Sequence, residues 1–393
     1  MAKSCSYIYP PLSLLDIGED IFDVNEIINQ DKARVFEDIL AKYGVFVRVL
    51  SVSIGVGVTR YEFLPFGGTR IVDVTDLYDD IKLYYGGARI RIIKQVPGKA
   101  AMAMEITNNE HKEVRLRPLL EKDARNNTGN AVAKKPIMLG VGINKQIVTT
   151  DFVTMKNLLV TGSTGTGKST FMQNIIIDCI YKYSPEEVKM ILIDPKVVDY
   201  YQFRDLPHLV TPVINDSKKA VAALMWLCEE IENRLEQREN GAQSCDFCKL
   251  LVMVDELADL MILYPRETER LIVRILQMGN PVGIHIVVAT QHQKAISGLI
   301  HVNANSIASF DSEQYEYDMQ SECGEDFFLG QGEMLYSRSG FQCTERVQCP
   351  FVSSDETDRI MSFMAEKNGK AEYDKDVIRK IEEYESKIRE RNR

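Results

Sequence analysis

Residues Asn157 to Thr170 read NLLVTGSTGTGKST. An apolar run with the look of a buried strand enters a glycine-rich turn. It leaves as STFMQNIIIDCIYKY, whose apolar spacing fits a helix. Gly162 to Ser169 match G-x-x-x-x-G-K-[ST] in the strand–turn–helix context that this pattern needs. Glycines at 162, 165 and 167 let backbone N–H groups turn inward, and the helix start adds partial positive charge. Such a loop holds polyphosphate. Gly162, Ser163, Thr164, Gly165, Thr166, Gly167, Lys168, Ser169 and Thr170 are its expected contacts. Lys168 would reach the β- and γ-phosphates of ATP, and the Ser169 hydroxyl would ligate Mg²⁺.

Further along, KLLVMVDELADL ends an apolar run on Asp255 followed by Glu256. The first carboxylate is placed to hold the Mg²⁺ shell, so Ser169 and Asp255 are the expected metal residues. The second is placed to orient and deprotonate an attacking water. VGIHIVVATQ ends on Gln291, where a side-chain amide can sense the γ-phosphate. VKMILID ends on Asp194, with a simple strand-end role equally open. Fully apolar runs separated by helices predict a mainly parallel sheet covered on both faces, an α/β fold. Ligands of such sheets bind at the carboxyl ends of the strands, where these four loci would meet.

The pattern organises the chain into four parts. Residues 1–120 read as a smaller α+β domain, with VLSVSIGVGVTRYEFLP as a half-buried strand, DVTDLYDDIKLYYGG as a short helix ending at glycine, and ARIRIIKQVPGKAAMAMEI as two strands around a Pro-Gly turn. Residues 121–135 read as a polar linker, 136–365 as the α/β domain, and 366–393 as a charged helical tail, mobile or capping.

The net charge is -10 at pH 7, so the chain has no broad cationic footprint. Any nucleic-acid contact must be local or shared around an oligomer. No run approaches the ~18 apolar residues of a membrane span, and the start lacks a signal-peptide core. The eight Cys are scattered, so reduced thiols in a cytoplasm are expected. Cys245 and Cys248 have zinc-ligand spacing, but Cys343 and Cys349 are too far apart for a second knuckle.

The series NLLVTGSTGTGKST, ILIDPK, LPHLVTPVINDSKKA, VDELADLM and GIHIVVATQ resembles the motor region of the FtsK/SpoIIIE DNA translocases. YPPLSLL, GVGVTRYEF and VPGKAAMAMEI are similar to that family's pre-motor domain. The resemblance implies a RecA-like P-loop ATPase domain preceded by a ring-platform domain, assembled as a homo-hexamer or a mixed ring with a paralogue. It implies ATP and Mg²⁺ as cofactors, double-stranded DNA as partner, catalytic roles for Lys168, Asp255, Glu256 and Gln291, and DNA contacts at Arg204, Lys218 and Lys219. The cluster Arg89, Arg91, Lys94 and Lys99 would meet DNA entering the ring. Family members usually begin with membrane spans; that none is read here fits a soluble relative or a piece of a longer chain, and leaves room for a separate membrane anchor.

Arginines are missing where the resemblance expects them. His292 stands in place of one, and Ile307 in place of a trans-acting finger, with Arg274 or Arg338 as conceivable substitutes. Beyond them runs IASFDSEQYEYDMQSECGEDFFLGQGE (Ile307 to Glu333), with eight acids and no Lys or Arg. Two other readings therefore stand beside the translocase: a conjugation or mobile-element DNA coupling ATPase, and a regulatory or scaffold subunit with weak hydrolysis.

Overall fold

The computed structural model describes residues 7–19, 21–22, 26–96, 98–108, 112–126, 135–243, 247–292, 296–311, 330–338 and 344–391. A first unit comprises α1 (Glu26–Lys42), β1 (Val47–Ile54), β2 (Val58–Pro65), α2 (Ile71–Thr75), α3 (Tyr78–Tyr84), β3 (Ile90–Ile93) and β4 (Met102–Thr107). Its sheet runs β1-β2-β4-β3, antiparallel throughout. The segment expected as one strand is a hairpin. The Gly55 N–H donates to Val58 O at 2.8 Å, and a Cβ at Gly55 would lie 3.0 Å from that oxygen. The expected single helix is two, α2 and α3, and the chain leaves α3 through Gly86 and Gly87 at positive φ. Phe36 on α1 stacks on Tyr61 with ring centroids 4.4 Å apart, above Phe63, Ile81, Ile90 and Met104.

After α4 (Leu116–Asn126) the second unit is built on β5 (Ile137–Gly142), β6 (Ile147–Thr150), α5 (Phe152–Met155), β7 (Leu158–Thr161), α6 (Lys168–Lys182), β8 (Val188–Ile193), α7 (Ser217–Glu239) and β9 (Lys249–Val254). It continues through α8 (Leu257–Leu263), α9 (Pro265–Met278), β10 (Ile284–Thr290), α10 (Gly298–Asn303), β11 (Ser306–Ser309), β12 (Glu333–Arg338), β13 (Glu345–Gln348), α11 (Ser354–Asn368) and α12 (Lys375–Arg391). The nine strands form one sheet in the order β6-β5-β13-β12-β11-β7-β10-β9-β8. From β11 to β8 the pairing is parallel, and it includes the four apolar runs read as parallel strands. From β11 to β6 it is antiparallel, so the sheet is mixed. One face packs on α6 and α11, the other on α7, α8, α9 and α12. This double cover explains why β8 and β10 carry almost nothing but apolar side chains.

Segment placement differs from the sequence reading at three points. Residues 7–22, expected with the first domain, lie on the second. Leu15 and Ile21 share the core of Phe171 and Ile175, and the Tyr7 hydroxyl donates to Ile180 O at 2.8 Å. The stretch read as a linker begins inside α4, whose Leu116, Leu119 and Leu120 join that same core. The charged tail is α12, fastened to α7. Val377, Ile381, Tyr384 and Ile388 form its apolar stripe, and Lys380 Nζ lies 3.0 Å from Glu229. At helical spacing, four apolar residues suffice to seat a helix whose other positions stay charged.

The two units meet over a buried ionic network. Arg346 on β13 reaches Glu333 on β12 at 2.6 Å and Glu105 on β4 at 3.2 Å. These three side chains are at most 5% exposed. Arg60 and Arg91 approach Glu105 at 3.6 and 3.5 Å.

Candidate nucleotide-binding site

The carboxyl ends of β7, β8, β9, β10 and β11 lie side by side, and the loops leaving them form the site. The turn after β7 needs its glycines. Gly162 and Gly167 have φ of 151° and 108°. A Cβ at Gly162 would fall 2.7 Å from Phe310 Cβ, and one at Gly167 would fall 2.8 Å from Gly332 Cα. The left-handed region alone costs an L-residue about 1–2 kcal/mol; here backbone collision adds to it. Thr166 O also accepts from Gly332 N at 2.8 Å, and Thr166 Oγ1 donates to Ser163 O at 2.8 Å. The loop is thus braced from within and from the start of β12.

Lys168 begins α6 and is 6% exposed. Burial pulls its ammonium below the usual value, an effect opposed by the nearby Glu256 and Asp255. Ser169 Oγ donates to Asp199 Oδ2 at 3.1 Å. Asp255 ends β9, 7% exposed, with its carboxyl pushed up to about 7. Burial is the main cause. Asp199 and Asp194 follow as neighbouring charges, together with a hydrogen bond that protonated Asp255 donates to Asp199.

Glu256 is 1% exposed and spans two strands. Its Oε1 accepts from Thr290 Oγ1 at 3.0 Å and from Gln291 N at 3.2 Å, and Lys196 Nζ stands 3.5 Å from Oε2. The Gln291 side chain in turn accepts from Thr164 Oγ1 at 2.8 Å. Gln291 therefore connects the turn after β7 to the carboxylate after β9. Asp194 is fully buried and caps its own loop. Its carboxylate accepts from the N–H groups of Lys196, Asp199 and Tyr200. Its position is accounted for by backbone satisfaction.

Asp199 was not singled out from the sequence. The available signal was a lone acid within VVDYY, five residues past the strand-end Asp194. The oxygens of Ser169, Asp199 and Asp255 are the hard donors that suit Mg²⁺, which keeps water and phosphate for its remaining positions. The Tyr200 hydroxyl is fully buried beside those acids and has no hydrogen-bond partner among the described residues. The residues fit the ion.

The DNA-contact candidates lie in the loop that follows β8 and at the start of α7. Arg204 is exposed, with its guanidinium 4.2 Å above the Tyr201 ring. Lys218 and Lys219 open α7, which starts just after Ile214 bridges the end of β8. In the first unit, Arg91 pairs with Glu105 and Lys99 with Glu62, so two of its four cationic candidates are matched by acids of their own sheet.

Ile307 sits mid-strand in β11, opposite Leu159 and Ser337, against the core under α9. Arg274 lies 3.7 Å from Glu232 on α7. Of the eight acids between Ile307 and Glu333, Asp311 accepts from Ser163 Oγ at 2.5 Å and Glu333 holds Arg346. The other six lie outside the described residues, as do Cys245 and Cys343. Among the described residues, no three ligating side chains close a metal cage, and no helix is long and apolar enough to cross a membrane.

A glycine-rich turn between a parallel strand and a helix, with Lys and Ser at the helix start and two acids ending the strand next but one in the sheet, defines a P-loop NTPase fold. The family model described as FtsK/SpoIIIE family matches residues 118–247 and 238–295, and that of the FtsK alpha domain matches residues 9–108. The DNA translocase FtsK of Clostridium tetani is 34% identical over 96% of this chain and 54% of its own length. The DNA translocase SftA of Bacillus subtilis is 35% identical over 91% and 39%. The chain belongs to the FtsK/SpoIIIE family. It spans about half the length of the curated relatives it matches. Among solved structures, the pCW3 conjugation coupling protein TcpA aligns with a TM-score of 0.56 at 16% identity, over 85% of this chain and 99% of TcpA, a likeness of fold.

Proposed function

We propose that this chain is the motor portion of an ATP-dependent double-stranded DNA translocase that works as a ring around DNA. The observation carrying the reading is the meeting of Lys168, Ser169, Asp255, Glu256 and Gln291 at one strand edge. The family match across both units supports it.

In this reading the backbone of residues 162–167 and the Lys168 ammonium hold the polyphosphate. A bound Mg²⁺ would neutralise part of its charge. Ser169 and Asp255 are the residues to hold that ion. Glu256 orients and deprotonates the attacking water, a role worth ~10²–10⁴ in rate. In the nucleotide-free geometry Thr290 and the Gln291 N–H occupy one of its oxygens. Gln291, tied to Thr164, transmits the state of the phosphate loop to that carboxylate. Arg204, Lys218 and Lys219 stand as the DNA contacts, and a neighbouring subunit or paralogue would supply the arginine that position 307 lacks.

Steady-state ATP hydrolysis with and without long linear duplex tests this. Stimulation by duplex that fades with rising salt is expected, because phosphate contacts release counterions. Nucleotide binding with no stimulated turnover would instead support a regulatory subunit.

A further inference from the structure

Asp199 lies in the loop between β8 and α7, outside every motif that carries the nucleotide reading, yet it touches that machinery twice. Its Oδ2 accepts the hydrogen bond of the Ser169 hydroxyl at 3.1 Å. Its carboxylate also bears on Asp255, helping to push that carboxyl up. We propose that Asp199 is a positioning residue for the divalent cation: it accepts the hydrogen bond of the Ser169 hydroxyl and so turns that oxygen's lone pairs toward the ion. The inference rests on the nucleotide-site reading given above.

Three observations carry it. First, the residue is pinned at both ends. Its N–H donates to Asp194 Oδ2 at 2.9 Å, and its carbonyl accepts from Gln173 Nε2 of α6 at 2.8 Å. The side chain is therefore held against the first turn of α6. Second, the loop that delivers it is strained. Val197 has φ of 58°, a left-handed conformation that β-branched residues avoid, and strain of this kind persists where surrounding structure enforces it. Third, acids outnumber bases around it, with Lys168 the cation that both Asp199 and Asp255 act on. Among the described residues no Lys or Arg lies within ion-pair distance of Asp199 or Asp255, and Lys196 is turned to Glu256. The adjacent Tyr200 hydroxyl is fully buried and lacks a partner. Two carboxyls, a serine hydroxyl and an orphaned phenol converge where a cation would satisfy them. A second partner that fixes a ligand's orientation typically changes metal affinity or activity 10–100-fold.

The test is equilibrium binding of a fluorescent ATP analogue to the full chain, in EDTA and across a Mg²⁺ titration, for wild type, Asp199→Asn and Asp199→Ala. Asn keeps the acceptor and removes the charge; Ala removes both. The Mg²⁺ concentration for half-maximal tight binding should rise about 10–100-fold in Asp199→Ala and less in Asp199→Asn. Affinity in EDTA should hold at the wild-type value in both. In a Ser169→Ala background, Asp199→Ala should add little, since the two act through one hydroxyl. Wild-type Mg²⁺ dependence in both variants overturns the inference. So does an equal loss with and without Mg²⁺, which would make Asp199 a loop brace. If Asp199→Ala does not fold, the near-isosteric Asp199→Asn decides alone. A wild-type chain that binds no nucleotide in either condition overturns the site reading itself, and this inference with it.

Discussion

Two groups of buried charge sit in this molecule and are built on opposite terms. At the junction of the two units, Arg346 lies between Glu105 and Glu333, with Arg60, Arg91 and Glu62 completing the set of three acids and three bases. Acids and bases there face each other, and every charge has a partner. At the strand ends, Asp194, Asp199, Asp255 and Glu256 face Lys168 and Lys196, and Asp199 and Asp194 push the Asp255 carboxyl up. The balanced group joins parts of the fold. The unbalanced one is held in place by backbone N–H groups and hydroxyls, at a cost to the fold, which is how a binding site for a cation and a polyphosphate is prepared. Burial alone does not distinguish structure from function here; the sum of the charges does.

The sharpest break of this contrast is Glu256→Gln. In the unbalanced group it should lower ATP hydrolysis ~10²–10⁴-fold while leaving nucleotide binding intact. Single-turnover and binding measurements separate the two effects, and unchanged turnover would remove Glu256 as the base. In the balanced group the comparable loss is one of stability. Arg346→Met strands the buried Glu333 carboxylate and takes one of three arginines from Glu105, and should destabilise the fold by about 3–5 kcal/mol in urea titration. Replacing Glu333 by Gln in the same protein should recover much of that.

A third substitution has the opposite sign. Asp255→Asn should stabilise the nucleotide-free chain by about 1–2 kcal/mol at pH 8, because it removes a charge that burial and Asp199 disfavour. The folded carboxyl is pushed up to about 7, while the unfolded one titrates near ~3.9. Between these values the folded chain holds a proton that the unfolded chain lacks. Stability from this group is therefore full at low pH and is lost as pH rises toward 7. Melting curves from pH 5 to 8 should fall more steeply for wild type than for Asp255→Asn. The smallest effect belongs to neither group. Arg379 and Asp376 on α12 pair at 3.1 Å in solvent, 67% and 83% exposed, so Arg379→Ala should cost no more than about 0.5 kcal/mol.

The unequal legibility of the two groups follows from their construction. Lys168 and Ser169 could be read because they close a glycine-rich turn after an apolar strand, and Asp255, Glu256 and Gln291 because they stand at the ends of two more; a parallel sheet brings such ends together. Asp199 could not, because its place depends on the path of residues 194–200, which no spacing announces. Arg346 meets Glu105 across 241 residues, and only the assembled units bring them together. The hairpin at Gly55 was missed because alternation continues through the turn. In α12 the stripe of Val377, Ile381, Tyr384 and Ile388 was present but outnumbered by charge. The antiparallel side of the sheet was not legible because β6, β12 and β13 mix polar with apolar residues, so their pairing depends on neighbours rather than on pattern.

The measurement that tests the account most directly is the thermal melting of the purified chain in EDTA, with Mg²⁺ alone, and with Mg²⁺ plus a non-hydrolysable ATP analogue. A ligand at 100 times its Kd stabilises the state that binds it by about 2.7 kcal/mol. The account predicts a clear rise with Mg²⁺ and nucleotide together, absent in Lys168→Ala. An unchanged melting temperature in wild type would contradict it, and the unmatched acids at the strand ends would then need another explanation.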